Sequence, residues 1–453
     1  MFYHIRHTCG AVVPGLVLIP LFSAASYAGD SSAATAAPYI DFGNTSWVLT
    51  CAALVMFMTV PALALFYGGL VKRKNVLSVL MQCFIILSVL SLQWVTFGYS
   101  LAFGPGKGPM AGVIGGFDWA FLRNIGASVS PYYISQSTAR IPHLAFVIFQ
   151  AMFAVITPAL IIGAFAERIK FSGFLLFTVA WAFLVYDPIA HWVWSSDGWL
   201  FKLGVLDFAG GTVVHINAGI AALVTAFIIG KRKPVKASPP HNLPFTMIGA
   251  SMLWFGWFGF NAGSALAADA LAASAFVVTN TAAAMAGITW AALDWIFSKR
   301  PTLLGAATGA VAGLVAITPA AGFVDITGAI IIGLIVSIVC YIFVVVIKPR
   351  AGYDDSLDAF GVHGIGGIWG AIATGLLATP AVQSAYSGFF AGSHKQLWIQ
   401  LLATGVTAAY SLVVTFCIFK LVDATIGMRV TEKEEAMGLD ITQHKERAIT
   451  IIE

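Results

Sequence analysis

The feature that most constrains this chain is a series of apolar segments, each close to the length that crosses a lipid bilayer. A helix of about 20 apolar residues spans the hydrocarbon core of a membrane. Eleven such segments, separated by charged or Gly/Pro-rich breaks, lie at 47–70, 76–100, 143–166, 171–192, 208–229, 244–262, 270–296, 303–318, 326–346, 360–378 and 397–419. This pattern predicts an all-α polytopic membrane protein with eleven transmembrane helices.

The composition excludes a soluble globular protein. Of 453 residues, 59% are hydrophobic and 10% are charged, whereas about 25% of the residues in soluble domains are charged. The net charge of +4 is not concentrated in a basic tail or an aromatic-basic patch, so no nucleic-acid partner is expected. The cysteines are isolated, and we interpret the four in apolar runs, Cys51, Cys83, Cys340 and Cys417, as small core residues.

The amino terminus is typical of a secretory signal peptide. A short apolar run at 11–22 precedes the small-x-small sequence Ser26-Tyr27-Ala28. We therefore interpret 1–28 as a cleaved signal peptide and 29–46 as an extracellular or periplasmic segment. An uncleaved first helix is the alternative, but the run is short and contains proline.

The distribution of Lys and Arg predicts the orientation of the spans. Because eleven is odd, the two termini lie on opposite sides of the membrane. An outside amino terminus puts 18 basic residues on the cytoplasmic side and 5 on the other, once Arg6 is set aside. Since cytoplasmic segments are rich in Lys and Arg, we expect the membrane domain, 47–419, to be followed by a cytoplasmic tail, 420–453.

The spacing of small residues and a weak internal repeat indicate how the spans pack against one another. Glycines four residues apart, at 305, 309 and 313 and again at 366 and 370, predict close contacts between helices. Span five begins at Asp207 and carries His215, and span ten begins at Asp358 and carries His363. The two spans are offset by five, which is an odd number, so the halves would be inverted in the membrane, with a site at their interface near the midplane.

The two histidines are the strongest candidates for chemistry. Burying the charged form of a titratable group at membrane depth costs free energy, so such a group indicates a functional site. Neutral imidazole offers one donor and one acceptor, so His215 and His363 could share a proton and present ring edges to a small polar molecule. A packing role is the alternative. A metal site needs more ligands, and no Cys, Asp, Glu or third His lies within a turn of either histidine; we expect neither metal nor cofactor.

Aromatic residues form a second pattern. Phe149 and Phe153 are four residues apart, and Trp257, Phe260 and Ser264 follow i, i+3, i+7 spacing, so each set lies on one helical face. Core packing or an interfacial aromatic belt is the alternative interpretation.

Two further residues lie at the outer ends of spans. Trp194 could hold a cation against its aromatic face, although it could also simply anchor the interface. Asp207 is first interpreted as the N-cap of span five. It could also favour cations in the outer vestibule.

The chain resembles the ammonium transporter (Amt/Mep/Rh) family, in particular its bacterial Amt branch. The matching segments run in order along nearly the whole chain after the signal peptide. They are ALFYGGLV (64–71), AER (166–168), PIAHW (188–192), DFAGGTVVH (207–215), WFGFNAGS (257–264) and FGVHG (360–364).

The resemblance implies a homotrimer in membrane lipid, in which each subunit has eleven spans, an inverted five-plus-five repeat and its own pore. Its implied external recruitment site for ammonium consists of Phe149, Trp194 and Ser264, supported by Asp207. Its implied phenyl gate consists of Phe153 and Phe260, and its implied pore consists of His215 and His363.

Ammonium and potassium ions are similar in size and charge, but only ammonium can release a proton and cross as a neutral molecule. We therefore expect recruitment of ammonium, deprotonation near the gate and passage of ammonia. The resemblance further implies that the proton also crosses, which would make transport electrogenic. A sensor or transceptor with little flux is the alternative. The chain has no G-x-S-x-G, H-E-x-x-H or P-loop motif, so an enzyme is not expected.

The tail resembles the regulatory carboxyl terminus of the family, which helps a PII-type nitrogen-signalling protein to block the cytoplasmic exits. Its sequence from His444 to Ile449 departs from the usual His-Gly-Glu-x-Ala-Tyr pattern, so binding of a PII-type protein is open. Thr431 to Glu435 is expected to be solvated, and Gly438-Leu439-Asp440 to mark a turn.

Overall fold

Each apolar segment forms a helix in the computed structural model, which describes residues 39–129, 140–233 and 239–448. The predicted signal peptide and most of segment 29–46 lie outside the described residues. The helices are α1 (Phe42–Leu70), α2 (Arg73–Phe103), α3 (His143–Phe165), α4 (Phe171–Leu203, interrupted after Trp194), α5 (Gly211–Ile229), α6 (Leu243–Ala265), α7 (Ala270–Ser298), α8 (Leu303–Ile317), α9 (Ile326–Ala351), α10 (Phe360–Leu377) and α11 (His394–Thr425).

Ten of these helices, within the described ranges, are long and apolar enough to cross a membrane. The prediction of a helical multi-pass protein is confirmed. The other helix, α8, has 15 residues and is about 22 Å long at 1.5 Å per residue. Because the hydrocarbon core is about 30 Å thick, its status as an eleventh span stays a prediction.

Close helix contacts occur where the glycine spacing predicts them. A Cβ atom on Gly309 would lie 2.5 Å from the Cβ of Trp290 in α7, and one on Gly370 would lie 2.3 Å from the carbonyl oxygen of Ala316 in α8. Helix α8 therefore packs directly against α7 and α10, and it is buried along most of its length.

Several helices contain π-helical turns, which are frequent at functional sites. Two of them, Gly211–Ile216 and Phe360–Gly364, form the first turns of α5 and α10 and carry the two histidines. A third, Ala182–Tyr186, precedes Pro188 in α4. Since proline has no N–H, Pro188 cannot donate to the carbonyl oxygen of Leu184 four residues earlier. The hydroxyl of Tyr410 in α11 donates to this oxygen at 2.8 Å.

The carboxyl-terminal tail packs against the loops at the end of the bundle where α10 begins. It forms two short helices, α12 (Glu432–Met437) and α13 (Leu439–His444), joined at Gly438 with φ of 106°. The predicted turn at Gly438-Leu439-Asp440 is wrong in its extent, because Leu439 and Asp440 already belong to α13 and only Gly438 lies between the two helices. The prediction that the whole of Thr431 to Glu435 is solvated is wrong, because Glu435 is 4% exposed and accepts hydrogen bonds from Arg429 and from the backbone of Lys233.

One cysteine interpretation is also wrong. Cys51, Cys83 and Cys340 are buried, but Cys417 is exposed. Helix α11 buries one face only, which includes Thr415, Ile418 and Phe419, and Cys417 lies on its outward face.

Candidate functional site

Three cavities follow one another through the helix bundle. We call the cavity lined by Trp194 and Ser264 the outer cavity, the one lined by His215 and His363 the middle cavity, and the one lined by Arg232 the inner cavity. Their volumes are about 430, 10 and 220 Å³. A volume of roughly 10–15 Å³ holds one water-sized molecule. His363 lines both the middle and the inner cavity. The middle cavity is therefore a constriction between two wider spaces.

The outer cavity brings together all of the residues that the family resemblance assigns to recruitment. It is lined, among others, by Phe149, Phe153, Trp194, Asp207 and Ser264. The ring of Phe153 lies edge-on to Phe149, with centroids 5.0 Å apart, and perpendicular to Trp194, with centroids 5.7 Å apart. The face of an aromatic ring attracts a cation that lies within about 6 Å of its centroid, so this aromatic rim can hold a small cation.

Asp207 holds the rim through its backbone and the start of α5 through its side chain. Its two carboxylate oxygens accept the N–H groups of Gly210, Gly211, Thr212 and Val213 at 2.6–3.0 Å. The side chain of Asp207 therefore caps α5, as predicted, but Asp207 is not the N-cap residue. The helix begins at Gly211, with Gly210 as its N-cap, and residues 208 and 209 lie between this N-cap and Asp207. The indole Nε1 of Trp194 donates to the Asp207 carbonyl oxygen at 2.9 Å.

Two phenylalanine rings separate the outer cavity from the middle one. Phe153 lines the outer cavity and Phe260 lines the middle one, and their centroids are 4.4 Å apart at an interplanar angle of 39°. Both side chains are 1% exposed. The hydroxyl of Ser264, one turn beyond Phe260, donates to the Phe260 carbonyl oxygen at 2.8 Å and faces the outer cavity.

The two histidines meet in the middle cavity. Their ring centroids are 5.3 Å apart and their planes are inclined by 14°. Both ring nitrogens of His215 and Nδ1 of His363 have no hydrogen-bond partner among the described residues. The remaining lining of this cavity is apolar, so these nitrogens are the groups that a small polar molecule would meet there.

Close backbone contact between α5 and α10 brings the histidines together. A Cβ atom on Gly219, one turn after His215, would lie 2.2 Å from the Cα of Gly364, the neighbour of His363. Trp257 completes the stack, with its ring 5.5 Å from His215 and its Nε1 donating to Thr318 at 2.9 Å. Sequence reasoning placed Trp257 on an aromatic stripe but missed its contact with His215.

The acidic residue that mirrors Asp207 is Asp355, which sequence reasoning missed. The carboxylate of Asp355 accepts the N–H groups of Ala359 at 3.1 Å and Phe360 at 2.8 Å, at the start of α10. Asp355 precedes His363 by eight residues, as Asp207 precedes His215. The predicted match of Asp358 to Asp207 is therefore wrong, since Asp358 instead forms an ion pair with Lys348. The equal spacing was the signal that could have found it.

Charged residues surround the inner cavity. Arg232 lines this cavity and pairs with Glu167 at 2.6 Å and with Asp354 at 2.8 Å. Burial raises the pKa of Asp354, but hydrogen bonds and charge from Arg232 outweigh it and lower the pKa to about 2. Burial, the largest effect on Asp355, raises its pKa to about 6. Asp354 is therefore ionised at neutral pH, whereas Asp355 titrates near it.

No group of three or more His, Cys, Asp or Glu side chains that could hold a metal ion occurs in residues 39–129, 140–233 and 239–448. The middle cavity presents two imidazoles and otherwise apolar side chains. Such an arrangement suits a small, uncharged, hydrogen-bonding molecule rather than a metal.

Comparisons with known proteins cover most of the chain. The model of the Ammonium Transporter Family matches residues 46–449. An ammonium transporter of Bacillus subtilis is 53% identical over 410 residues, which are 90% of this chain and 99% of that protein. The crystal structure of Saccharomyces cerevisiae Mep2 has a TM-score of 0.80 and 36% identity, and the match covers 87% of this chain and 89% of that one. A structure titled Sensor Amt Protein has a TM-score of 0.80 and 31% identity, with 89% and 98% covered.

Proposed function

The chain belongs to the ammonium transporter family, and from this membership we propose that it takes up ammonium across the cell inner membrane into the cytoplasm, without chemical conversion. The observation that carries the proposal is the stacked pair of His215 and His363, in a constriction that holds about one small molecule between two wider cavities. The three cavities supply an entrance, a filter and an exit.

Ammonium first binds at the outer rim. Trp194, Phe149 and the hydroxyl of Ser264 form the recruitment site, and Asp207 supports it by holding Trp194. Each aromatic face contributes about 0.5–2 kcal/mol to a bound cation. Potassium gains nearly the same attraction, so this rim concentrates cations without selecting among them.

Selection occurs when the ion leaves water. Phe153 and Phe260 close the path below the rim, and the cavity beyond them is apolar except for the histidines. Placing an unpaired ion in an apolar interior has an idealised cost of order 20 kcal/mol. Ammonium avoids this cost by releasing a proton near the phenyl gate and crossing as ammonia, whereas potassium cannot lose its charge.

The unpartnered ring nitrogens of His215 and His363 then form hydrogen bonds to ammonia as it passes. The released proton also crosses, which makes transport electrogenic, and the histidine pair forms part of its route. The inner cavity, which is lined by Arg232 and Asp358, is where ammonia takes up a proton again.

The same proposal includes the architecture. Eleven spans form two inverted halves of five, with the amino terminus outside and the tail in the cytoplasm. The equal spacing of Asp207 to His215 and of Asp355 to His363 supports the repeat, as does the position of both histidines in a π-helical first turn. Three copies form a homotrimer, and the docked tail at the exit end offers a surface for a PII-type regulator.

A sensor or transceptor with little flux is the second candidate, favoured by the similarity to the structure titled Sensor Amt Protein. The two are separated by an ammonium jump on proteoliposomes that contain the purified protein and an internal pH dye. A saturable current supports electrogenic transport, and a dye response without current indicates electroneutral passage of ammonia. The absence of both the current and the dye response would overturn the transport proposal in favour of the sensor.

A further inference from the structure

A buried polar pair lies between α2 and α4, away from the three cavities. The amide Nε2 of Gln93 donates a hydrogen bond of 2.8 Å to Oδ2 of Asp187. Asp187 is fully buried and Gln93 is 6% exposed. Gln93 directly precedes the π-helical turn Trp94–Gly98, and Asp187 directly follows the π-helical turn Ala182–Tyr186. The pair therefore connects two irregular turns of adjacent helices.

The hydrogen bonds of this pair are incomplete unless a proton is added. Oδ1 of Asp187 and Oε1 of Gln93 have no hydrogen-bond partner among the described residues. A carboxylate and an amide oxygen are both acceptors, and an unsatisfied buried acceptor is costly. One proton on Asp187 satisfies both atoms, because the acid O–H donates to Oε1 while the amide N–H continues to donate to Oδ2.

The charges around Asp187 also favour its neutral form. The α-helical segment Asp187–Trp194 packs against Ala182–Tyr186, Tyr99–Phe103, Trp199–Leu203 and Gly211–Ile216. The titratable groups on these five segments and at the adjoining start of α5 are Tyr99, Tyr186, His191, Lys202, Asp207 and His215.

None of these groups provides a counter-charge. Lys202 is exposed and faces Asp197 at 3.8 Å, and His191 directs its two ring nitrogens at the carbonyl oxygens of Ala102 and Ala111, both at 2.9 Å. An ionised carboxylate without a counter-charge would be very unfavourable at this depth in the membrane.

Gly98 makes room for the pair. A Cβ atom at this position would lie 2.6 Å from Oε1 and 2.7 Å from Nε2 of Gln93, so the amide occupies the space that a side chain would fill. The side-chain amide of Gln93 is therefore packed directly against the backbone of Gly98.

We propose that Asp187 is a protonated carboxylic acid at neutral pH, and that its cyclic pair with Gln93 is a clamp that positions Trp194. Asp187 and Trp194 are the first and last residues of one α-helical segment, so a displacement at one end is carried to the other. The protonation state is independent of transport. The positioning role rests on the recruitment role proposed above for Trp194.

Infrared difference spectroscopy of wild type against Asp187→Asn tests the protonation state directly. We expect a carbonyl band of a protonated carboxylic acid that shifts in D₂O and persists at pH about 8, well above the ordinary pKa of Asp. Glu446→Gln, at an exposed carboxyl, is the control and should not remove this band. Carboxylate bands in place of the acid band would overturn the proposal.

Two variants test the clamp. In Asp187→Asn the new amide can donate to Oε1 and accept from Nε2, so the thermal midpoint and the half-saturating ammonium concentration should stay near those of the wild type. Gln93→Leu leaves the acid unpaired, so the midpoint should fall and the half-saturating concentration should rise, as it would in Trp194→Leu.

Loss of ammonium affinity in Asp187→Asn would overturn the clamp, because it would show that the charge, not the pair, is needed. An unchanged affinity in Gln93→Leu, with Trp194→Leu impaired, would overturn the positioning role alone. If no variant and not even the wild type transports ammonium, the proposed function fails, while the infrared result still decides the protonation state.

Discussion

The imidazole rings of His215 and His363 lie nearly parallel, with centroids 5.3 Å apart and an interplanar angle of 14°. They come from helices that are five apart in the chain, and both occupy the π-helical first turn of their helix. Their stacking depends on a backbone contact one turn away, where Gly219 and Gly364 approach more closely than any Cβ atom would allow. The geometry of the constriction is therefore sensitive to a single methyl group.

Gly219→Ala should separate α5 from α10 and reduce ammonium transport. The added Cβ would meet the Gly364 backbone, which cannot rotate away as a side chain would, and overpacking of this kind costs about 1–3 kcal/mol. Gly405→Ala is the matched control, since a Cβ there meets nothing within 4 Å. Transport rates per purified molecule check the prediction, and equal rates in the two variants would speak against a sensitive histidine contact.

Trp194→Leu should weaken recruitment while leaving the filter intact. Removing a cation–π contact of about 0.5–2 kcal/mol raises the half-saturating ammonium concentration about 2- to 30-fold. Selectivity against potassium should not change, because Trp194 lines the outer cavity rather than the constriction. Concentration series of ammonium-evoked current check this, with Trp398→Leu at a 70% exposed site as control. A normal half-saturation would argue against the aromatic rim.

Asp355→Asn should flatten the dependence of stability on pH. Burial raises the pKa of Asp355 to about 6 from 3.8, so folding favours its protonated form. Its contribution is complete below pH about 4 and is lost as pH rises through about 6, and it amounts to roughly 3 kcal/mol. The wild-type thermal midpoint should therefore fall across this window more than that of Asp355→Asn.

The slope with pH, rather than the midpoint itself, is the informative quantity here, because asparagine also changes one hydrogen-bond acceptor. Glu446→Gln, at an exposed carboxyl, should keep the wild-type slope. Identical slopes for wild type and Asp355→Asn would show that Asp355 does not titrate in this range.

Sequence reasoning succeeded where the cause is local. Hydrophobic length alone predicts the helices, and the position of Asp207 before an apolar run predicts its role as a cap, since both depend on neighbouring residues. It failed for Asp355, because Asp358 lies closer to the start of α10 and was therefore matched to Asp207 instead. What distinguishes Asp355 from Asp358 is its spacing of eight residues to a histidine, which Asp207 shares. In the structure, both Asp207 and Asp355 cap the π-helical turn that carries this histidine.

Long-range contacts account for the other differences. Whether His215 and His363 meet depends on the contact of Gly219 with Gly364, residues 145 positions apart (364 minus 219) in the chain. The burial of Glu435 depends on Lys233, which lies 202 residues earlier. No local pattern contains either partner, so hydropathy and charge can indicate a candidate but not its neighbour.

We propose that selectivity comes from removing a proton from ammonium before it enters the constriction. The most direct test measures ammonium-evoked and potassium-evoked currents in proteoliposomes containing wild type, His215→Ala and His363→Ala at matched protein density. We expect a saturable ammonium current and no potassium current in the wild type, and reduced discrimination between the two ions in both variants. Undiminished selectivity in both histidine variants would contradict it.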